Sequence, residues 1–373
     1  MKKNKAIRWT VTILIILVLF GSLAFLAVKL LQNKQQDTPT VKEPPSYTLD
    51  GFAMDTTISQ ILYGDADGNL DQAKKIANEN MQLLQELENK LSMYVSGSEI
   101  SQINDKAGLT EVKRVNLSDD TYALLSKAKE YGKQTKGLFD VTIGPLTSLW
   151  NITGDNPRVP SQEEIDTAKS YVDYRQISLD DKAKAARLQK PYMKLDLGGI
   201  AKGYACDRLK AKLQADGVDS ALISLGGNVL AWGKKPGGED FSIGLRNPFS
   251  KNADDLVGKL TAPNKILATT GAYERSFEQD GKTYHHVLDP RTGYPCETDL
   301  ASVTVVSEDG TLADMLSTTF YIAGKKTALE HLNSHPEFAL ILVDNQKNVY
   351  LSDSLKNSFT LTEGLGFKLA EGN

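Results

Sequence analysis

The segment Lys194-Leu-Asp-Leu-Gly-Gly-Ile-Ala-Lys-Gly-Tyr-Ala205 decides how the rest of the chain is interpreted. A short apolar run ends at Asp196, two glycines follow, and a helix is predicted to begin near Ile200. Glycines let a backbone approach a ligand closely, and the first turn of a helix presents free N–H groups to an anion. Lys202 falls in that turn, where the helix dipole disfavours a cation. A phosphate ligand would explain the lysine, whereas a plain strand–turn–helix connection would explain the glycines alone.

Helices and strands are mixed on both sides of this segment. Helices are predicted at Asp71–Ser92, from the cap Ser118 to before Gly137, after the capping box Ser161 and Glu164, at Ile200–Asp216 and at Thr311–Gly324. Strands are predicted at Tyr192–Leu197, Ala221–Leu225, Phe241–Leu245, Lys265–Ala268, Ser302–Val306 and Ala339–Val343. This order does not alternate as a strict βαβ series, so we expect an α+β fold and not a doubly wound sheet.

A second chemical signal lies in the predicted helix Thr311–Gly324. Asp314 and Thr318 are four residues apart, so they lie on one helical face. A carboxylate and a hydroxyl are hard oxygen ligands, suited to Mg²⁺ that is completed by water and substrate phosphates. The spacing alone favours a simpler interpretation, in which Thr318 hydrogen-bonds to the carbonyl of Asp314 within the helix.

The segment His285–Pro295 contains two of the four histidines in the chain. Asp289 and Pro290 begin a tight turn there. A histidine beside such a turn can act as a general base near neutral pH, although a structural histidine is the commoner case. Two more strand-to-glycine segments, Leu222–Val229 and Ala268–Arg275, are each consistent with ordinary turns.

The charge distribution separates the N-terminus from the rest of the chain. The formal net charge is -4, and residues 1–36 contribute six basic residues and no acid, which leaves -10 on the remainder. A folded part this acidic is repelled by phosphate backbones, so we expect no nucleic-acid binding.

The run Trp9–Val28 is almost wholly apolar and follows four basic residues. It is long enough to cross a bilayer, and its flank favours a cytoplasmic N-terminus. A cleaved signal peptide is the alternative, since Ala24 and Ala27 are small. We therefore predict a basic flank and single-pass anchor at 1–31, a Pro-containing stalk at 32–46, and an extracytoplasmic domain at 47–373.

The only two cysteines, Cys206 and Cys296, do not make a disulfide scaffold in a chain of 373 residues. A bacterial lipoprotein signal needs a cysteine just after the apolar run, and neither cysteine lies there, so that interpretation is excluded. We interpret both as structural, and a single bridge between them stays open.

The chain resembles the ApbE-like family of FAD:protein FMN transferases in a set of ordered motifs. The motifs are Met54-Asp-Thr56, Leu91–Tyr94 with Ser98–Asn104, Phe139–Pro145, Asp196–Gly203, Ser224–Gly227, Thr270-Gly271, His286–Gly293 and Asp314–Thr318. The resemblance extends from about Phe52 to Gly324. The family usually has glycine at the position of Asp55 and serine at that of Thr270.

The resemblance implies an α+β fold of mixed sheets and helices with an FAD cleft. Met54 and Tyr94 would contact the isoalloxazine or adenine rings. The rest of the cleft would be lined by Leu138, Phe139, Asp140, Asp196, Lys202, His286, Val287 and Leu288. Mg²⁺ would be held by the carbonyl oxygen of Gly199 and the side chains of Asp314 and Thr318, with the pyrophosphate and water in the remaining positions.

The resemblance also implies the reaction. A Thr or Ser hydroxyl of an acceptor protein would attack the FMN-side phosphorus of FAD, and AMP would leave. His286 would accept the hydroxyl proton, although an Asp or a metal-activated group could substitute. The acceptors would be flavoproteins of membrane-associated electron-transfer systems at the bacterial cell membrane. Two alternatives stay open, a Mg²⁺-dependent FAD pyrophosphatase and a non-catalytic flavin-binding protein of the cell surface.

Overall fold

The computed structural model describes residues 45–64, 68–107 and 113–372. The predicted membrane span Trp9–Val28 and nearly all of the predicted stalk lie outside these residues. Within the described ranges, no helix has the length and apolar character needed to cross a membrane.

The folded part contains helices of 6 to 21 residues and strands of 2 to 8 residues. The helices are α1 (Asp71–Leu91), α2 (Glu99–Ala107), α3 (Asp119–Gln134), α4 (Gly144–Trp150), α5 (Gln162–Lys169), α6 (Ala201–Ala215), α7 (Gly310–Ala323) and α8 (Lys325–Glu330). The strands are β1 (Ser46–Ala53), β2 (Thr56–Tyr63), β3 (Val115–Asn116), β4 (Ile177–Asp180), β5 (Ala185–Leu188), β6 (Ser220–Leu225), β7 (Asn228–Gly233), β8 (Ser242–Arg246), β9 (Leu256–Thr261), β10 (Lys265–Gly271), β11 (Ser276–Gln279), β12 (Lys282–His285), β13 (Leu300–Ser307), β14 (Phe338–Asp344), β15 (Asn348–Leu351), β16 (Phe359–Leu361) and β17 (Lys368–Ala370).

A nine-stranded sheet in the order β1-β2-β6-β7-β10-β13-β14-β15-β17 forms the centre of the fold. Its neighbouring strands are antiparallel except for β15 and β17, which are parallel. The smaller sheets have the orders β16-β9-β8, β3-β5-β4 and β11-β12. A largely antiparallel sheet with helices between its strands confirms the predicted α+β class.

Both faces of the central sheet are covered. Successive side chains of a strand point to opposite faces, and on the inner strands both sets are buried. All eight residues of β13 are buried. Val303 and Val305 belong to the apolar cluster that contains Phe320 of α7. Val306 belongs to a different cluster, which contains Ile243 of β8. The sheet is therefore the middle layer, with helices on one side and the β8–β9 sheet on the other.

The predicted helices are confirmed to within two residues at each end. Ser118 accepts a hydrogen bond from the backbone of Thr121 at the start of α3. The capping box of Ser161 and Glu164 at α5 is complete in both directions. Ser46, the last residue of the predicted stalk, is the first residue of β1.

The strand predicted at Tyr192–Leu197 is wrong. Only Lys194 makes a β-bridge in this segment, with Ile143. The side-chain amide of Asn104 takes the place of a neighbouring strand, since it accepts from the Leu195 N–H at 2.6 Å and donates to the Leu195 carbonyl at 3.0 Å. Apolar alternation alone does not reveal such a side-chain partner.

Helices α6 and α7 cross at a contact between two glycines. A Cβ on Gly203 would collide with the carbonyl oxygen of Gly310, and a Cβ on Gly310 would lie 2.5 Å from the carbonyl oxygen of Gly203. Asp207 of α6 caps the start of α7, because its carboxylate accepts from the N–H groups of Gly310 at 2.7 Å and Thr311 at 2.9 Å. This crossing places the first turn of α6 against the first two turns of α7, where Gly310 and Asp314 lie.

We expect Gly203→Ala to destabilise the protein, because the new methyl group meets backbone that cannot rotate away. Overpacking of this kind costs about 1–3 kcal/mol. Gly-to-Ala changes inside helices otherwise stabilise a protein by about 1 kcal/mol. A net decrease in the free energy of unfolding would therefore be due to the collision of the new methyl group with the backbone of Gly310. Urea unfolding would measure the effect, with Gln214→Ala at an exposed position of the same helix as the control. A Gly203→Ala protein as stable as the wild type would contradict the close crossing.

Candidate functional site

One cavity of about 600 Å³ collects residues from segments that are far apart in the chain. Cavities of roughly 300–1,000 Å³ are the usual size of small-molecule sites. All the residues predicted for the site lie on its wall, namely Met54, Tyr94, Leu138, Phe139, Asp140, Asp196, Gly199, Lys202, His286, Val287, Leu288, Asp314 and Thr318. The structure therefore brings the whole predicted set together.

The oxygen groups predicted to bind a metal lie where α6 and α7 cross. Asp314 is 4% exposed, and its Oδ2 accepts from the Gly203 N–H at 2.8 Å. The hydrogen bond expected within the helix is made by a different residue, since Ser317 and not Thr318 donates to the Asp314 carbonyl, at 2.9 Å. The Thr318 hydroxyl lies 3.4 Å from Oγ1 of Thr270. Thr318 thus keeps its hydroxyl on the cavity side of α7.

The surroundings of Gly199 fit a small, hard cation. A Cβ at Gly199 would lie 3.2 Å from the ring of Phe139 and 3.5 Å from the hydroxyl of Thr318, so this backbone segment lies beside α7. Carbonyl, carboxylate and hydroxyl oxygens are the donors that Mg²⁺ prefers. In the part of the chain that the structure describes, no three His, Cys, Asp or Glu side chains form a metal cluster. A set with one carboxylate is open, and it leaves positions for substrate oxygens and water.

The first turn of α6 forms the positive end of the cavity. Its N-cap, Ile200, offers no capping side chain. The Ala201 N–H donates to the Leu197 carbonyl at 2.9 Å and the Gly203 N–H to Asp314 at 2.8 Å, so the dipole of the helix and the ammonium group of Lys202 supply most of the positive character. Lys202 Nζ donates to the Gly198 carbonyl at 3.2 Å and lies on the cavity wall. A helix N-terminus with an added ammonium group attracts anions such as phosphate.

Two predicted cavity carboxylates are engaged in holding the walls. Asp196 accepts from the Gly198 N–H and from the Thr147 hydroxyl, both at 2.8 Å. Asp140 accepts from the N–H and the hydroxyl of Thr142 at 2.8 and 2.6 Å, and its other oxygen accepts from a backbone N–H at 2.8 Å. Burial raises the pKa of Asp140, and these hydrogen bonds oppose that shift. Contact of either residue with FAD stays a prediction.

His286 is a neutral imidazole with one nitrogen held by the protein. Its Nδ1 lies 3.3 Å from the carbonyl oxygen of Arg275. A carbonyl only accepts, so Nδ1 carries the proton and Nε2 keeps a free lone pair. Burial lowers the pKa of His286 to about 4, the Arg275 carbonyl opposes this, and the charge of Lys202 adds to it. At neutral pH the side chain is therefore able to accept a proton.

His285 faces away from the cavity. Its Nε2 lies 3.0 Å from the Cys296 carbonyl, its Nδ1 accepts from the Val287 N–H at 3.3 Å, and its ring meets Tyr321 edge to face. Burial lowers its pKa as well. Strand β12 ends at His285, so His286 occupies the bend that follows it.

The cavity mouth carries an aromatic ring and a tight turn. Tyr94 is 63% exposed, whereas its hydroxyl points into the cleft, where the loss of water raises its pKa to about 12. Met54 and Asp55 form the two-residue turn between β1 and β2, with Ala53 paired to Thr56. Both turn residues lie on the cavity wall.

Sequence reasoning did not call Arg246, Tyr273, Glu274 or Arg275 site residues, although all of them lie on the wall. The guanidinium of Arg246 lies over the ring of Tyr273, 5.3 Å from its centroid. Glu274 is exposed, but its carboxylate lies within the cleft, where the loss of water raises its pKa and the charges of Lys202 and Arg275 lower it. For three of these residues the available signal was the bulky polar run Tyr273-Glu274-Arg275, which is separated from the end of β10 only by Ala272.

The comparisons with known proteins agree with this geometry. The chain matches the model of the ApbE family over residues 54–342. A curated FAD:protein FMN transferase of Klebsiella pneumoniae is 35% identical over 285 residues, which cover 76% of this chain and 87% of that protein. The FAD:protein FMN transferase of Haemophilus influenzae is 30% identical over 333 residues, which cover 88% of this chain and 92% of that protein.

Solved structures show the same fold. The ApbE protein of Thermotoga maritima matches with a TM-score of 0.72 at 33% identity, covering 85% of this chain and 97% of that one. The flavin transferase ApbE of Vibrio cholerae matches with a TM-score of 0.70 at 25% identity, covering 86% of this chain and 98% of that one. The fold and cavity define an α+β protein in which the N-terminus of α6 lies beside a group of oxygen-bearing residues on one cavity wall. The chain belongs to the ApbE family.

Proposed function

We propose that this chain transfers FMN from FAD to a Thr or Ser hydroxyl of an acceptor protein and releases AMP. The supporting observation is that a single cavity holds an anion-binding helix end, an open set of hard oxygens and a neutral imidazole. The names of the curated relatives point to the same reaction.

Charge compensation is the main need of such a transfer, because the pyrophosphate carries negative charge throughout. Lys202 and the first turn of α6 would hold the pyrophosphate oxygens. When bound by the Gly199 carbonyl, Asp314 and Thr318, Mg²⁺ would supply further positive charge. Met54 and Tyr94 would contact the ring systems at the mouth of the cavity.

His286 would act on the incoming hydroxyl. The acceptor oxygen forms a bond to the FMN-side phosphorus, the bond from that phosphorus to the bridging oxygen breaks, and AMP leaves with that oxygen. The hydroxyl proton passes to Nε2 of His286, whose Nδ1 is held by the Arg275 carbonyl. A base with a free lone pair at neutral pH suits this role.

Two experiments separate this proposal from the alternatives. Incubation with FAD and Mg²⁺ but no acceptor should release little AMP, whereas rapid release would identify an FAD pyrophosphatase. Incubation with FAD and candidate acceptor flavoproteins, followed by in-gel flavin fluorescence, should label one acceptor covalently. An acceptor whose reactive Thr is replaced by Val is the control. Tight FAD binding without AMP release or labelling would instead indicate a flavin-binding protein.

The proposed setting is the outer face of a bacterial cell membrane, next to flavoproteins of electron-transfer systems. It is supported by the basic flank and apolar run Trp9–Val28 in the sequence. We expect the native membrane-bound protein to keep its N-terminus, because an apolar run of this length suffices to span the bilayer. N-terminal sequencing checks this, and a mature chain beginning near Val28 would show a cleaved signal instead.

A further inference from the structure

The turn between β1 and β2 has a backbone that glycine would favour. Met54 and Asp55 have φ angles of +54° and +58°. Two positive φ angles in a two-residue hairpin turn are most often met by glycine or asparagine, although aspartate is tolerated. A side chain kept at such a position suggests that the side chain has a use.

The side chain of Asp55 has a partner far along the chain. Arg275 donates through one guanidinium nitrogen to Oδ2 of Asp55 and through another to its backbone carbonyl, a contact across 220 residues. The two side chains are 37% and 62% exposed, for Arg275 and Asp55 respectively, so the ion pair adds little to stability. A two-point contact does fix the direction of the guanidinium. The pair therefore orients Arg275 more than it stabilises the fold.

The backbone of Arg275 in turn holds His286. The Arg275 carbonyl accepts from the His286 N–H at 3.1 Å and lies 3.3 Å from Nδ1 of the ring. The ladder between β11 and β12 begins with the pair Ser276 and His285, so Arg275 and His286 lie at its open end. Open ends of short hairpins fray, since few contacts hold them. An anchor on the Arg275 side chain opposes that fraying.

We propose that Asp55 is a positioning residue, which acts through Arg275 to hold the carbonyl that orients the imidazole of His286. With the pair in place, Nδ1 keeps the proton and Nε2 is aimed at the substrate hydroxyl. Without it, the ring has other orientations and tautomers open to it. The proposal rests on the proposed function, in which His286 accepts a proton.

The first test is Asp55→Gly, a change that suits the turn but removes the partner of Arg275. We expect kcat for FMN transfer to fall about tenfold, as for other residues that orient a catalytic group. We expect KM for FAD to change less than twofold and the melting temperature not to fall, because glycine favours this backbone. The double variant of Asp55→Gly with Arg275→Gln should be no slower than Arg275→Gln alone, since both remove one contact.

A matched control is Asp180→Asn. Asp180 forms an ion pair with Arg114 that is also partly exposed and joins distant segments, and neither residue lines the cavity. This variant should keep kcat and KM. The second readout is the tautomer of His286 by ¹⁵N NMR of histidine side chains, assigned with His286→Gln. The wild type should show Nδ1 protonated, and Asp55→Gly should show a mixture.

Three outcomes would overturn the proposal. A near-normal kcat in Asp55→Gly would show that the pair does not affect catalysis. A rise in KM that matches the loss of rate would make the pair a flavin contact, and a lowered melting temperature with no tautomer change would make it structural. If the wild type transfers no FMN, the proposed function fails, and the tautomer measurement still decides whether Asp55 orients His286.

Discussion

His286→Ala should slow FMN transfer about 10²–10⁴-fold, the usual loss when a general base is removed. Affinity for FAD should change much less, because the imidazole acts on the incoming hydroxyl. The measurements are initial transfer rates at saturating FAD and, separately, flavin fluorescence for binding. His285→Ala is the matched control, since that neighbour lies away from the cavity against Cys296 and Tyr321.

Two results would remove the catalytic role of His286. A near-normal rate in His286→Ala would place the base elsewhere. A loss of FAD binding in proportion to rate would make His286 a ligand of the substrate.

The same assignment predicts the acid limb of the pH profile. An ordinary imidazole is protonated below about pH 6.5. Burial lowers the pKa of His286 to about 4, so its imidazole stays neutral between about pH 4 and pH 6.5. Protonation removes its ability to accept a proton only below about pH 4. We therefore expect kcat/KM, which reports the free enzyme, to keep its acid limb well below pH 6. A limb centred between pH 6 and 7 would contradict a buried, neutral base.

Asp314→Asn should lower FMN transfer by at least about a hundredfold while leaving the fold intact. The amide oxygen of asparagine can still accept from the Gly203 N–H, but it lacks the charge that holds Mg²⁺. Asp314→Ala should be destabilised as well, by about 1–3 kcal/mol, because it leaves that buried N–H without a partner. Transfer rates with added Mg²⁺ and urea unfolding would be measured on both variants.

The matched control on the same helix is Thr319→Val. The hydroxyl of Thr319 donates to the Met315 carbonyl, and Thr319 does not line the cavity. It should transfer FMN normally. Excess EDTA should stop the wild-type enzyme, and added Mg²⁺ should restore it. Full activity in EDTA or in Asp314→Asn would show that the metal site is misassigned.

The sequence predicted those parts of the fold and site whose cause is local. The helix after Gly199, the cap at Ser118 and the shared face of Asp314 and Thr318 all depend on residues within one or two turns. Spacing of this kind can be recognised in a single sequence. The family resemblance then joined the separate motifs into one cleft.

The parts that were missed depend on partners distant in sequence. Asn104 replaces a neighbouring strand at Leu195 from 91 residues away, and Arg275 reaches Asp55 across 220 residues. The local periodicity of apolar and polar residues gives no information about such distant contacts. The bulky polar run ending at Arg275 therefore looked like a turn, although it forms part of the cavity wall.

The burial of the two cysteines determines whether the protein offers a reactive thiol to oxidants. Both are free and buried, and burial raises the pKa of Cys206 well above its usual value and that of Cys296 to about 12. The thiolate is the form that reacts with peroxide or exchanges with a disulfide, and neither sulfur supplies it near neutral pH. Folding therefore needs no disulfide-forming step, and an enzyme that handles flavins, whose reduced forms make peroxide from oxygen, presents no thiol for that peroxide to oxidise.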